Sequence, residues 1–234
     1  MNRPAEGLAV GARPTVELGD PAAVVRVALG CEPGEVARDV ILTPFLPLKA
    51  FARHVDGGTR RDLAPPFFYS GFTAEFRGHP VTVLLTGVGP SRVGDCAALL
   101  SLTPARRLLF AGAVGGLRED LAVGDLFLPA GAGDGEGFSR YLRRPFREIA
   151  AGAEAVACPG GLRGRLGDFL RARGVPTREG RVFTIGAFAA ESAENLETLA
   201  ELGYDALEME LSAFYSAAAH HAFEAAALAY VSDL

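Results

Sequence analysis

The segment DALEMELSAFYSAAA, Asp205 to Ala219, sets two carboxylates, Glu208 and Glu210, one residue apart around Met209. They fall where an apolar strand-like run, Tyr204 to Met209, hands over to an alanine-rich helical one that begins at Leu211. A carboxylate at so apolar a junction is costly to bury unless it is paired or hydrogen-bonded. Its oxygens accept two donors side by side, which suits a ligand with adjacent hydroxyls such as a ribose cis-diol. In strand geometry Glu208 and Glu210 share one face and Met209 takes the other. If helix starts at Glu210, the alternation fails and a single acid points into the site. The competing structural role is that one acid caps the following helix, whose N-terminus favours negative charge.

A second acid, Asp233, directly follows the apolar run Ala226 to Val231. There it suits either proton donation to a leaving group or a plain turn or N-cap. Two glycine turns, GVGPS (Gly87 to Ser91) and GAVGG (Gly112 to Gly116), expose backbone N–H groups to an anion or a close-lying sugar. Neither has the G-x-G-x-x-G spacing of a dinucleotide site. In FTIGAFAAES, Phe188 sits among small residues, where it could stack on a flat ring or pack in the core. His220 and His221 project about 100° apart on a helix and make a poor metal pair. No metal site is expected.

The elements that must position these residues alternate. Asp39 to Phe45 reads as a strand, Leu48 to Val55 as a helix, and Phe67 to Gly87 as a hairpin turning at Arg77-Gly78-His79-Pro80. A helix follows over Ser91 to Leu102, then strands over Arg106 to Leu117 and Val123 to Gly133. Glycines at 131, 133, 135 and 137 predict a mobile loop. The remainder reads as helix (Gly161 to Arg173), strand (Arg181 to Ile185), helix (Ser192 to Leu202, N-capped by Ser192 and stopped by Gly203), strand, helix and strand. This order implies a three-layer α/β/α sandwich around a mixed, mostly parallel, twisted sheet. Ligands in such sheets bind beyond the carboxyl ends of the strands, where the acids and glycine turns fall. Residues 1–36, rich in Pro, Gly and Ala, are expected as a loosely attached lead-in to a single domain over 37–234.

Composition narrows the partners. The 234 residues are 49% hydrophobic and carry a formal net charge of −5, which disfavours a phosphate-backbone or anionic-membrane surface. The arginine cluster SRYLRRPFR (Ser139 to Arg147) reads as a solvated face balanced by acids. Three dispersed cysteines fit a reducing compartment. The N-terminal stretch lacks an apolar h-region, and no run approaches the roughly 18 apolar residues of a membrane span. A cytoplasmic location is expected.

Taken together and in order, these segments resemble the superfamily of purine-nucleoside phosphorylases, uridine phosphorylases and methylthioadenosine/S-adenosylhomocysteine nucleosidases. The resemblance runs from about Asp39 to Leu234. GFTAEFRGHPVTVLLTGVGPS resembles the hairpin and glycine turn of bacterial purine phosphorylases, and FAGAVGGLREDLAVGDLFLP the glycine-rich strand end followed by VGD. EMELSAFY matches the ribose motif E-M-E-x-x-[AG], and VSD the segment bearing the catalytic acid.

The resemblance implies cleavage of the N-ribosyl bond of a nucleoside, purine favoured, releasing the free base and ribose 1-phosphate. Hydrolysis of the methylthioadenosine type and a silent nucleoside-binding relative are the alternatives. Glu210 would then hold the ribose hydroxyls beside Glu208, Met209 would pack on the sugar, Phe188 would flank the base, and Asp233 would be the catalytic acid. Gly89, Ala113 and Gly115 would line the substrate. No cofactor is implied, only inorganic phosphate as co-substrate or water in its place, and a homo-oligomer is expected. The chain departs from the pattern where the family holds phosphate. Phe67 and Phe110 stand at arginine positions, Ala113 replaces a serine, and Lys49 stands for the first arginine, with Arg92 nearby in sequence. The nucleosidases' glutamate cluster after the first strand is absent from TPFLPLK. The family's C-terminal helix is expected to be missing after Leu234.

Overall fold

The computed structural model describes residues 20–63 and 68–234. The first described element is a helix, α1 (Pro21–Leu29), started by Asp20, whose Oδ1 accepts the Ala22 N–H at 2.9 Å, and closed by Gly30 at φ 69°. Val25, Ala28 and Leu29 of α1 are buried in the main core, as is Val36 beyond the short 3-10 turn Pro33–Glu35. The stretch 20–36 is therefore packed and not a loose lead-in; residues 1–19 lie outside the described residues. Leu29→Ala should lower unfolding stability by about 2–5 kcal/mol, read from denaturant melts.

Strand β1 (Asp39–Thr43) leads to α2 (Leu48–Ala52) and the edge strand β2 (Arg61–Leu63). The predicted hairpin is formed by β3 (Ser70–Phe76) and β4 (His79–Leu85). Its two-residue turn has positive φ at Arg77 and Gly78, and both N–H groups donate to the Asp56 carboxylate, at 3.0 and 2.7 Å. Helix α3 (Pro90–Leu100) precedes β5 (Arg107–Gly116), whose alternate residues are buried, and β6 (Leu126–Gly135) follows.

The arginine-rich stretch forms two short helices, α4 (Phe138–Tyr141) and α5 (Phe146–Ala151). Its charges meet acids, Arg144 with Glu148 and Arg147 with Glu201. Then come β7 (Ala155–Ala157), α6 (Leu162–Ala172), β8 (Arg178–Ile185) and a 3-10 turn, Phe188–Ala190. Helix α7 (Ala193–Glu201), N-capped by Ser192, precedes β9 (Ala206–Glu208), α8 (Leu211–His220) and β10 (Glu224–Asp233).

The expected mobile glycine loop is strand instead. Gly131, Gly133 and Gly135 belong to β6, and only Gly137 lies beyond it. The reason is steric: a Cβ at Gly133 would strike the Tyr204 ring and one at Gly135 the Phe183 ring. These glycines make room for aromatic rings lying on the strand.

The sheet topology also differs from the expected sandwich. β5, β10, β6, β8 and β9 pair in a ring that returns to β5, so this part of the sheet closes into a barrel. β1, β4, β3 and β2 extend outward from β5. Among the described residues five pairings are parallel and five antiparallel, the parallel ones being mostly the longer, so the sheet is mixed. Helices cover the sheet as an α/β fold requires; α3 packs on α8 where Gly94 meets Ala213. Among the described residues, no helix is long and apolar enough to cross a membrane.

Candidate functional site

Two acids that look equivalent in sequence do different work. β9 stops at Glu208 and α8 begins at Leu211, so Glu210 occupies the N-cap position with φ −139° and ψ −29°. The period-two alternation therefore breaks between the two acids. Glu208 turns back onto the helix start: its Oε2 accepts the N–H groups of Glu210 (2.6 Å) and Leu211 (2.7 Å). Its Oε1 accepts the Thr184 hydroxyl, whose oxygen accepts the Ser212 N–H at 2.9 Å. Glu208 is thus the helix-capping acid, with both oxygens committed to protein donors.

Glu210 turns the other way. Its Oε1 accepts the Gly89 N–H at 2.7 Å, which ties α8 to the first glycine turn across the fold. Gly89 lies at φ 113°, a backbone region open to glycine, and that conformation aims its N–H at the carboxylate. Burial pushes both acids above the ordinary carboxylate range, and the Glu210 charge adds to the rise at Glu208. Two buried carboxyl groups this close titrate as a pair.

The other expected residues gather around neighbouring strand ends. β9 runs antiparallel to β5 with Leu207 opposite Gly115, so the residues after Leu207 head back along β5 toward Ala113. Across a register shift in β10, Asp233 also pairs with Gly115, and its Oδ2 would lie 3.3 Å from a Cβ placed there. The Ser232 hydroxyl donates to Asp233, which is exposed at the strand end. Met209 packs against the buried cluster that includes Leu207, Ala187 and Ala190, to which the loop after β8 also contributes. On that loop Phe188 is 76% exposed and so is not a core residue.

The expected phosphate residues separate. Lys49 is exposed in the first turn of α2, beyond the β1 end, where Thr43 O accepts the Thr86 N–H at 2.8 Å. That contact puts α2 and the Gly87–Gly89 turn at the same end of the sheet. Arg92 is tied to backbone: Nε donates to Thr86 O at 2.8 Å and Nη2 to Phe68 O at 3.0 Å, with the guanidinium 5.2 Å from the Tyr69 ring centre. It braces the glycine turn. Phe110 is buried and packs on Phe214 with ring centres 5.7 Å apart, so that position serves the core. Phe67 lies outside the described residues.

Three residues bear on the site without having been singled out in sequence. Ser212 donates to Glu136 Oε1 at 2.6 Å, which continues the buried chain from Glu208 through Thr184 to the end of β6. Burial raises the Glu136 carboxyl above its usual range. Glu191 follows Ala190, and its carboxyl is also raised, by burial first and then by the charge of Asp233. Its sequence signal was proximity to Phe188, masked by the ordinary look of an acid beside a helix N-cap. A cavity of about 1070 Å³ lies at the other end of the sheet, beside Arg38, Asp39, Arg107 and Glu224. Among the described residues, no group of three or more His, Cys, Asp or Glu side chains gathers as a metal site.

Comparison with known proteins matches this arrangement to named relatives. The purine nucleoside phosphorylase DeoD-type of Myxococcus xanthus is 32% identical over 209 residues, covering 88% of this chain and 84% of its own. The Bacillus subtilis protein of the same name is 28% identical over 216 residues, covering 88% and 86%. Among solved structures, AMP nucleosidase from Bacteroides thetaiotaomicron superposes with a TM-score of 0.76 at 19% identity, over 91% of this chain and 88% of that one. Uridine phosphorylase from Vibrio fischeri gives 0.70 at 20% identity, over 86% and 81%, and at such identity both report the fold. The sequence profile of the phosphorylase superfamily matches residues 46–234, and the chain belongs to that superfamily.

Proposed function

We propose that the protein cleaves the N-ribosyl bond of a purine nucleoside by phosphorolysis, with inorganic phosphate as co-substrate. The observation that carries this reading is Glu210, a buried carboxyl group at a strand–helix junction whose Oε1 accepts the Gly89 N–H across the fold. Breaking the bond leaves positive charge on the sugar and negative charge on the base. Glu210 stabilises the first, and Asp233 donates a proton to the second. Met209 packs the sugar and Phe188 covers the base. Lys49 and the Gly89 turn supply positive charge and a helix N-terminus for phosphate.

Hydrolysis by water is the second reading. It is favoured by Ala113 in place of a serine and by Arg92, whose guanidinium is engaged with the Thr86 and Phe68 carbonyls. Release of base from inosine, adenosine, uridine and methylthioadenosine, measured with and without phosphate, separates the two. Phosphate-dependent release is expected; equal release without phosphate rejects phosphorolysis. Asp233→Asn should lower kcat on purine nucleosides on the order of 10²-fold, the usual effect of losing a general acid. A riboside whose leaving group needs no proton should be spared. A homo-oligomer is supported by exposed Phe45, Phe68 and Val88 at this end of the sheet. Sedimentation velocity tests it, and a monomer at assay concentration removes it.

A further inference from the structure

The glycine turn that meets Glu210 has little of its own to hold it in shape. Turn 86–89 joins β4 to α3, with Gly87 at φ 78° and Gly89 at φ 113°, and Val88 between them is 52% exposed, so side-chain packing does not fix its middle. Arg92 grips both ends of that turn. Its Nε donates to Thr86 O at 2.8 Å, and its own N–H donates to Gly89 O at 3.1 Å. The guanidinium passes so close to Gly87 that a Cβ placed there would lie 3.3 Å from Nε. Nη2 donates to Phe68 O at 3.0 Å, and the guanidinium sits over the Tyr69 ring, 5.2 Å from its centre. The hydroxyl of the buried Tyr69 donates back to Arg92 O at 3.1 Å. Arg92 itself is exposed, so these contacts weigh lightly in global stability and act on the shape of the turn.

We propose that Arg92 is a positioning residue for sugar recognition: by fixing turn 86–89 it aims the Gly89 N–H at Glu210 and so sets where that carboxyl group meets the ribose hydroxyls. The inference rests on the proposed function, in which Glu210 takes the ribose. The Gly89 N–H reaches Glu210 Oε1 at 2.7 Å, and such a bond weakens steeply once its N–H swings out of line. The turn must therefore keep its geometry for the acid to keep its own. A guanidinium suits this task because its donors point in fixed directions, here to carbonyls on two separate segments, which a lysine's point charge cannot do. The same engagement puts Arg92 on the sugar side of the reaction and not on phosphate.

The test compares a ribonucleoside with its 2′-deoxy counterpart in the wild type, Arg92→Lys, Arg92→Ala and Glu210→Ala. Values of kcat, KM for each nucleoside, KM for phosphate and melting temperature are measured for each protein. Arg92→Ala should lower kcat/KM for the ribonucleoside about tenfold or more, because misplacing a binding group by about an ångström costs up to about 10² in rate. The 2′-deoxynucleoside should lose much less, so the ribo-to-deoxy ratio falls toward that of Glu210→Ala, with the KM for phosphate unchanged. Arg92→Lys should fall between, since it keeps the charge without the fork. Free guanidinium, well below denaturing concentration, should restore part of the ratio in Arg92→Ala and none in Glu210→Ala. If Arg92→Ala does not fold, Arg92→Lys carries the same ratio. Wild-type behaviour or equal losses on both sugars would leave Arg92 a plain surface brace, and a raised KM for phosphate with an unchanged sugar ratio would make it a phosphate ligand. Either result overturns the proposal while nucleoside cleavage by Glu210 stands. A wild type indifferent to the 2′-hydroxyl, or an unchanged ratio in Glu210→Ala, overturns the ribose assignment itself and this inference with it.

Discussion

Glu210→Ala should lower kcat/KM for a ribonucleoside on the order of 10²- to 10⁴-fold while leaving the affinity for free base within about twofold of wild type. Two ligand hydroxyls donating to a buried carboxylate form charge-assisted bonds of about 1.5–3 kcal/mol each, and every 1.36 kcal/mol is tenfold in rate. The protein bond that is lost from the Gly89 N–H is partly exposed, so the fold should tolerate the change. A 2′-deoxynucleoside supplies the cross-check. Wild-type enzyme should discriminate against it, whereas Glu210→Ala should treat the two sugars nearly alike, because the group that reads the 2′-hydroxyl is gone. Glu210→Gln should fall between, since its carbonyl can keep Gly89 while its amino group cannot accept. An unchanged ribo-to-deoxy ratio in Glu210→Ala would show that the ribose lies elsewhere.

How much of this was legible in the sequence depends on the range of the interactions. Strands such as β5 and the β3–β4 hairpin announce themselves, because burial alternates with period two and Arg77-Gly78 supplies a tight turn. Barrel closure does not, because it depends on β10 meeting β6 across about a hundred residues, and no local pattern encodes that pairing. The β6 glycines resemble a loop for a related reason. Their cause is the rings of Tyr204 and Phe183, distant in sequence, while locally they look like punctuation. Helix α1 did carry signals, Asp20 then Pro21 at its start and Gly30 at its end, but they are outweighed by a composition typical of a tail. The acids at 208 and 210 were legible as a pair with two rival roles. Folding distributes those roles, capping to Glu208 and the glycine turn to Glu210, because the helix begins between strand register and ligand reach.

Glu208 should prove the more important of the two for stability. Glu208→Ala removes the acceptor for three buried donors, the N–H groups of Glu210 and Leu211 and the Thr184 hydroxyl. Each stranded donor costs about 1–3 kcal/mol, so a loss of about 3–5 kcal/mol is expected after relaxation, with activity falling as Glu210 loses its anchor. Glu208→Gln isolates the electrostatic part, because its carbonyl can still cap the helix. Burial raises both acids above the ordinary carboxylate range in the folded protein, and the Glu210 charge adds to the rise at Glu208. At neutral pH the folded state therefore holds more protons on this pair than the unfolded chain does. The pair's contribution is fullest at acidic pH and is lost as pH rises from the ordinary carboxylate range toward the raised folded values. Melting temperatures taken between about pH 5 and pH 8 should accordingly fall for the wild type by this mechanism and change less for Glu208→Gln. The variant should be the weaker protein at the acid end and close the gap, or pass the wild type, at the alkaline end. Parallel curves would mean that burial and the Glu210 charge do not raise the Glu208 carboxyl, and that Glu208 caps α8 as an ordinary ionised acid.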